Sequence, residues 1–533
     1  MPDSNEADDS TSERRNFLKL LGVAGAGSIA GCSGGGGGGG TDTSTGTGTS
    51  ASTATDGTGG GSNESGGGST TDLSQWIQEA SQPYEGQSIT LVTESTPPSL
   101  FYQENAVGQF QDLTGISVDF QAVAFSEMSN RIVSNATSNQ PGIDIAYTEQ
   151  DSLTAYASNE WLINLTQFRN QNPDLAMPGF NIDDFVAFGE NFRFPTGEDY
   201  YAYPMEAFLK TFVYRQDIYD NQEMSSAYQE QFGQEFTAPT NPQQYMQSAQ
   251  FIYENSESIL GQQIAGHAAQ VQAETGPYAM VETYFPIHGV YNWGINLEDF
   301  TALASRNGTM NSQSAIEAMD FYRELLQYAP EGVRSYTWSG PPDAIISGAA
   351  AQGMVYSENL GNMVNADLGY EPSALDVALP PAEDGGIEAA RNGEGYVGYF
   401  DGGGYGIMSA SNNPEPAYLF LQWMIRPDLQ EQLAQDVGAI TRVSAIEPAR
   451  GQLINEATGY VDFYEENQEL FKGNPVGRVQ ATLINEVFIP VFQNFVAGNI
   501  SAEVCANRWA YQTEQLLAEV GFLDEAGEQP SPY

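Results

Sequence analysis

"SITLVTESTPPSLFYQENAVGQFQDLTGISVDFQAV", residues 88–123, sets the pattern for the chain. Ile89 to Val92 reads as a short strand. Val107, Phe110 and Leu113 then fall on one side of a helix, Gly115 stands at a helix C-terminal position, and Ile116 to Val123 reads as the next strand. The same alternation continues with a helix around Met128 to Ala136, a strand at Ile143 to Tyr147 and a helix running into "WLINL", 161–165. Strands alternating with helices imply a parallel sheet covered on both faces. Ligands of such sheets sit in the crevice beyond the carboxyl ends of the strands. The residues just after Val92 and just after Tyr147 are therefore the first candidates for a site.

Further along, "APTNPQQYMQSAQFIYEN", 238–255, opens a helix with Thr240 or Asn241 as cap and Pro242 at its first position. Gln313 to Tyr328 is another helix, "AAAQGMVYS" leads into a strand, and "LDVALPPAEDGG" is a strand with a turn. Residues 402–438 give a strand, a turn and two amphipathic helices. In the C-terminal helix Cys505 lies among Val504, Trp509 and Leu516, a core position rather than a reactive one.

Toward the N-terminus, "RRNFLKLLGVAGAGSIAGCSGGGGGGG", 14–40, joins two arginines, a short apolar run, a cysteine and a glycine tract. A membrane-spanning helix needs roughly 20 apolar residues, and this run is too short. A basic flank, an apolar stretch and small residues at its end make a secretory signal, and Arg14-Arg15 resembles a twin-arginine export motif. Ile29-Ala30-Gly31-Cys32 resembles a lipobox, with Cys32 lipidated and first in the mature chain. Residues 1–32 are thus read as signal and anchor. Residues 33–72, rich in Gly, Ser and Thr, are read as a disordered tether with an end-to-end distance of roughly 35 Å.

The formal charge is −51, from 69 acids and 18 bases. Residues 1–31 hold five acids and three bases, so the remainder keeps 64 acids against 15 bases, a net −49. Nucleic-acid binding is excluded, since so few cations build no basic face. With 40% hydrophobic and 11% aromatic residues the chain is not an acidic disordered protein. Acids spread along a folded chain read as adaptation to concentrated salt, as in a halophilic archaeon. After Cys32 only Cys505 remains, so there is no intrachain disulfide or cysteine metal site. His267 and His288 alone make none of the familiar zinc patterns. No metal, cofactor or catalytic residue is expected.

Several segments, in order, resemble the solute-binding proteins of ABC importers, in the extracellular family 1 group that includes maltose- and trehalose-binding proteins. "FQDLTGISVDFQAV" resembles that family's F-x-x-x-T-G-I-x-V start. "GIDIAYTEQDSLTAYASNEWLINL" resembles its P-D-I strand, loop and helix. "YAYPMEAFLKTFVYRQDIY" resembles its Y-x-x-P tract, with Arg215-Gln216 in place of Asn-Lys. "NNPEPAYLFLQWMIRPDLQEQLAQDVGAIT" resembles its N-P-E-x-A helix pair. The resemblance covers roughly Ile89 to Val520. It implies a two-lobed, periplasmic-binding-protein-like α/β fold, each lobe a mainly parallel sheet flanked by helices, with the ligand cleft between them. Lobe 1 is placed at 83–203 plus 402–455, and lobe 2 at 204–401 plus 456–533. The implied function is capture of a neutral, hydroxyl-rich solute, a sugar or oligosaccharide, for a membrane permease by a monomeric receptor anchored on the outer face. A phosphorylated polyol such as glycerol phosphate is the alternative ligand, and a secreted glycosidase the alternative class.

The resemblance places Asp151 as a carboxylate for sugar hydroxyls, with Glu149 beside it in the loop after the third strand. "ETYF", 282–285, resembles E-P-Y-F, with Glu282 as hydroxyl acceptor and Tyr284 as stacking face. "DGGGYG", 401–406, resembles a G-G-W turn, with Gly404 allowing close approach and Tyr405 supplying the ring. Its structural alternative is a glycine-rich hinge with Tyr405 as packing. Where many sugar binders carry a tryptophan after "GMVYS", this chain has Glu358 and Asn359. Glu206 stands near an expected carboxylate position after Pro204. Glu94, Trp293, Trp338 and Arg478 complete the candidates.

The charge generates one test. At about 0.01 M salt the Debye length is roughly 30 Å, against roughly 3 Å at 1 M, so net negative charge destabilises the compact state chiefly in dilute salt. Dialysis from molar potassium chloride should lower the melting temperature. A loss of about 2 kcal/mol corresponds to roughly 4–8 °C for domains of this size. Circular dichroism melts over a salt series measure it, and a constant melting temperature removes the salt argument.

Overall fold

Twelve strands carry the architecture of the computed structural model, which describes residues 70–194, 199–272, 275–366, 374–474 and 479–533. They are β1 (Ser88–Glu94), β2 (Ser117–Val123), β3 (Ile145–Glu149), β4 (Arg193–Phe194), β5 (Asp199–Tyr200) and β6 (Tyr203–Pro204), then β7 (Phe208–Arg215), β8 (Gln352–Tyr356), β9 (Leu375–Ala378), β10 (Gly398–Asp401), β11 (Gly403–Ile407) and β12 (Phe471–Lys472). The signal and tether assigned to 1–72, with Cys32, lie almost wholly outside the described residues, and Arg478 lies outside them too.

The first sheet has the order β2-β1-β3-β11-β6. The opening stretch forms as its pattern requires. β1 pairs in parallel with β2 from Ser88↔Ser117 to Glu94↔Val123, and with β3 at Leu91↔Ile145. Gly115 ends the intervening helix at φ 68°, a left-handed conformation that glycine adopts without strain. The third strand runs two residues later than its pattern suggested. Asp144 is occupied before it, accepting from the Thr90 N–H (2.8 Å) and the Ser411 hydroxyl (2.5 Å). The helix Thr70–Ser81, with Ile77 fully buried, packs against Gly108–Thr114 and Pro414–Met424, so this lobe begins before residue 83.

The second sheet has the order β12-β10-β7-β8, with β9 also on β7. It departs from the mainly parallel expectation. β7 is antiparallel to β8, β9 and β10, and only β10 with β12 is parallel. One of these pairings follows from connectivity: β7 enters from the first lobe and β10 leaves toward it through the adjacent crossing, so the two run in opposite directions. Behind this sheet a core gathers around Trp293, Phe488 and Trp509.

Two neighbouring chain crossings join the lobes beside each other, and a third carries the chain from β11 of the first sheet to β12 of the second. Met205–Ala207 connects β6 to β7, and Gly402 connects β10 to β11. They run in contact, the N–H groups of Met205 and Glu206 both donating to the Gly403 carbonyl at 2.9 Å. Gly402 has φ 150°, and a Cβ there would lie 2.1 Å from the Glu206 carbonyl oxygen and 2.7 Å from the Phe188 ring. Glycine is therefore required by both conformation and space. Gly402→Ala should cost about 1–3 kcal/mol through overpacking, read by denaturant unfolding. Gly451→Ala, with nothing within 4 Å of its added methyl, should stay within about 0.5 kcal/mol.

Candidate functional site

A cavity of about 220 Å³ lies between the lobes beside these crossings. The first lobe contributes the ends of its parallel strands, as the crevice rule requires: Glu94 to Pro97 after β1, Phe125 after β2, and Tyr147, Glu149 and Asp151 at the end of β3. The second lobe contributes Phe208, Tyr278 and Glu282, Thr337 to Ser339, Tyr356, Glu358, Asn359, Tyr399 and Asp401. Six carboxylates and seven aromatic rings thus line one small space.

The walls meet at specific contacts. The Phe125 and Trp338 rings stand edge to face at 6.5 Å, and Trp338 also meets Tyr278 (5.4 Å) and Tyr356 (6.1 Å). Gln150, at the start of the helix Gln150–Ser158, reaches across. Its amide donates to the Tyr399 hydroxyl (3.1 Å), the Phe400 carbonyl (3.0 Å) and Asp401 Oδ1 (3.3 Å). Its own carbonyl accepts from the Asn191 amide at 2.9 Å.

Of the residues expected from sequence, Glu94, Glu149, Asp151, Glu282, Trp338, Glu358 and Asn359 line the cavity. Glu206 lies just behind the lining. It is fully buried, and its carboxylate accepts from the hydroxyls of Thr96 (2.8 Å), Ser99 (2.9 Å) and Tyr147 (3.1 Å). Four others are elsewhere. Gly404 and Tyr405 are interior residues of β11, paired with Thr148 and Tyr147 across one edge and with Pro204 and Tyr203 across the other. The Tyr405 ring packs between Tyr102 and Tyr147, and its hydroxyl meets Thr93 and Ser99. The hinge-and-packing alternative for "DGGGYG" describes this segment.

Tyr284 does not line the cavity, because it stands two residues from Glu282 on a helical segment and so on another side of it. It packs on Tyr322 (4.7 Å), with its hydroxyl 3.3 Å from His267 Nε2. Tyr278, four residues before Glu282, shares its face and lines the cavity instead. Trp293 is core, 1% exposed between Tyr278 and Phe488. His267, buried, is pushed down to about 3 and stays neutral.

Sequence reasoning missed Asp401, Tyr278, Tyr356 and Phe125. Asp401 opens the very motif whose ring was chosen, and the signal was its place at a strand end. Phe125 follows β2 as Glu94 ends β1, and the same crevice rule would have found it.

The electrostatics are unusual for their sign. The nearest buried cation among the described residues is Lys210. Its ammonium donates to Glu282 Oε2 (3.1 Å), Gln270 (3.0 Å) and the Tyr356 hydroxyl (3.2 Å), and lies 4.6 Å over the Tyr356 ring. Burial pushes Lys210 down and Glu282 up, and their mutual attraction opposes both shifts. The other carboxyls are also raised. Burial, then the charge of Glu206, lifts Glu94 to about 8, and burial lifts Glu206 to about 7 against its three hydroxyl donors. Burial and then Asp151 raise Glu149, while burial raises Asp151 against hydrogen bonds from Glu149 and Ser152. Burial, then Glu282, raises Asp401, and burial, then Glu206, raises Glu358. Glu358 is 6% exposed, and its Oε2 has no hydrogen-bond partner. Among the described residues no cluster of His, Cys, Asp and Glu could hold a metal ion, and no helix is long and apolar enough to cross a membrane.

Comparison with known proteins gives a family and a fold. A family model described as bacterial extracellular solute-binding protein matches residues 93–431. No curated protein matches the chain by sequence. Among solved structures, maltose-bound MalE3 of T. maritima is 16% identical with a TM-score of 0.65, over 81% of this chain and 100% of its own. An ABC transporter solute-binding protein from Agrobacterium radiobacter K84, in complex with ribitol, is 16% identical with a TM-score of 0.64, over 81% and 99%. The GacH receptor of Streptomyces glaucescens GLA.O, solved unliganded and with acarbose, is 17% identical with a TM-score of 0.63, over 81% and 98%. At these identities the likeness is one of fold, the two-lobed α/β fold expected from the sequence.

The raised carboxyls generate a test on the unliganded protein. Glu94 and Glu206, ordinarily near 4.5, take up protons on folding. Their contribution to stability is whole below about pH 4.5 and is lost as pH rises through 7 and 8. At about 1.4 kcal/mol per pKa unit, the loss is on the order of a few kcal/mol. Melting in molar salt should show lower stability at pH 8.5 than at pH 5.5, and Glu94→Gln should flatten that slope. A rise in stability over the same range overturns the assignment.

Proposed function

The chain belongs to the bacterial extracellular solute-binding protein family, and on that premise we propose that it captures a small, hydroxyl-bearing solute between its lobes for delivery to an ABC permease. The observation that carries this reading is the interlobe cavity, whose walls combine hydroxyl acceptors with aromatic faces. Carboxylates accept hydroxyl hydrogen bonds, and rings suit the apolar C–H face of a sugar or polyol. The structural neighbours named above hold maltose, ribitol and acarbose. At about 220 Å³ the cavity is below the ordinary 300–1,000 Å³ of small-molecule pockets, which favours a solute of monosaccharide size over an oligosaccharide. Six carboxylates facing an already paired Lys210 disfavour a phosphorylated polyol, which would need Arg, Lys or a helix N-terminus.

In this reading residues 1–32 are a twin-arginine signal ending in a lipidated Cys32, and the tether holds the receptor on the outer face of the membrane. The protein returns its solute chemically unchanged. A thermal-shift screen of sugars and polyols in molar salt should find a stabilising solute, worth about 2.7 kcal/mol at 100 times its dissociation constant. Asp151→Ala in one wall and Trp338→Ala in the other should each weaken that solute by about 1.5–3 kcal/mol, roughly ten- to a hundredfold. Glu282→Ala is a poor probe, because it leaves Lys210 buried without its partner. Calorimetric titration decides the matter, and wild-type affinity in both variants would place the solute elsewhere.

A further inference from the structure

The cavity gathers six carboxylates, and the nearest buried cation among the described residues, Lys210, is already paired with Glu282. We propose that the captured solute carries an ammonium group, seated between the unpartnered oxygen of Glu358 and the Trp338 ring, with Glu94, Asp151 and Asp401 around it. The proposal rests on the solute-receptor reading and narrows its ligand.

Three observations carry it. Glu358 is 6% exposed and lines the cavity, yet its Oε2 has no donor within the protein. A buried carboxylate oxygen without a partner is rare and costly, and here it belongs to a side chain that lines the space a ligand would fill. The second observation is charge. Lys210 is already committed to Glu282, Gln270 and Tyr356. Among the described residues that line the cavity, none brings a positive charge to the remaining acids.

The third observation is a precedent on the same wall. Lys210 shows how this wall holds an ammonium, by a carboxylate on one side and the face of Tyr356 at 4.6 Å on the other. Glu358 and Trp338 line the same cavity, and the Trp338 ring stands 6.1 Å from the Tyr356 ring, so a carboxylate and a second ring are available beside the first pairing. Tryptophan is the strongest cation–π partner among the rings. A neutral solute would leave the acids to remain protonated, whereas an ammonium favours their ionised forms. The groups that titrate against one another are the carboxyls of Glu94, Glu149, Asp151, Glu206, Glu358 and Asp401, together with the Lys210–Glu282 pair. The tyrosines beside them are pushed up by burial and stay neutral. Binding an ammonium should therefore release protons near pH 7.

The test uses the full chain in molar potassium chloride and matched probes that differ by hydroxyl against ammonium: 1,4-diaminobutane against 1,4-butanediol, and glucosamine against glucose. The two pairs separate an oligoamine from an amino sugar. In at least one pair the amine should bind at least tenfold more tightly by calorimetric titration. Its binding heat should differ between phosphate and Tris buffers in the sense of proton release. Glu358→Gln, which keeps shape but removes charge, should abolish the preference. Should that variant fail to fold, the wild-type proton release decides alone. An amine that binds no better than its hydroxyl partner in either pair overturns the proposal, as does a preference that survives in folded Glu358→Gln. If a neutral solute from the screen binds without proton release, the ammonium falls while the receptor reading stands. If no solute of any kind binds the folded protein, both fall.

Discussion

Glu206 is the residue on which the arrangement of the two lobes depends. Its backbone passes against Gly402 so closely that a methyl group could not stand between them. Its carboxyl is held by Thr96, Ser99 and Tyr147 of the first lobe. The chain thus leaves the first lobe from a fixed point and re-enters it alongside. Thr96 caps the short helix after β1, accepting from the Ser99 N–H while donating to Glu206, so strand end, hinge and cavity wall share one set of hydrogen bonds. The hinge is also adjacent to the chemistry, because Thr96 and Tyr147 line the cavity on their other side.

A cavity with this many acids costs stability. An ionised carboxylate out of water is expensive unless paired, and of the cavity acids only Glu282 has a cation among the described residues, Lys210. Glu206 has three hydroxyl donors, yet burial raises it with the others toward the neutral form. The surface acids belong to a different regime. They are solvated and screened by salt, whereas buried ones are screened much less. The net −51 of the chain therefore says little about the cavity. Evidence for a site is the convergence of acids from two lobes on one enclosed space, beside a glutamate oxygen with no donor.

The first lobe was legible because its elements are local. The 88–123 stretch carries strand, helix, glycine stop and strand within three dozen residues, and the structure repeats that order. Its strand ends pointed to the stretches after β1 and β3 by the crevice rule, and the family resemblance then singled out Asp151, with Glu149 beside it. The second sheet was less legible because its pairing is set by crossings. Nothing near Phe208 announces that β7 will run against β8, β9 and β10, strands up to nearly two hundred residues away. The ring assignments at Tyr284 and Tyr405 failed for a reason of periodicity. A motif gives residue types in order, but side-chain direction follows the backbone. On a helical segment Glu282 and Tyr284 cannot share a face, while in the interior of β11 a tyrosine between Tyr147 and Tyr203 is packing.

The two acidic walls also bear on how capture is coupled to closure. Glu94, Glu149 and Asp151 stand on the first lobe, and Glu358 and Asp401 on the second. Like charges oppose the approach of these walls, and protonation relieves the repulsion only at the cost of binding protons. The attractive contacts across the gap are few: the reach of Gln150 to Tyr399, Phe400 and Asp401, and the edge of Phe125 against Trp338. A ligand shifts a conformational equilibrium only by its differential affinity for the two states. A solute that donates hydrogen bonds to both walls at once favours the arrangement in which they face each other, since its partners lie on both lobes. The same acids that destabilise the empty cavity are the groups a donating solute satisfies.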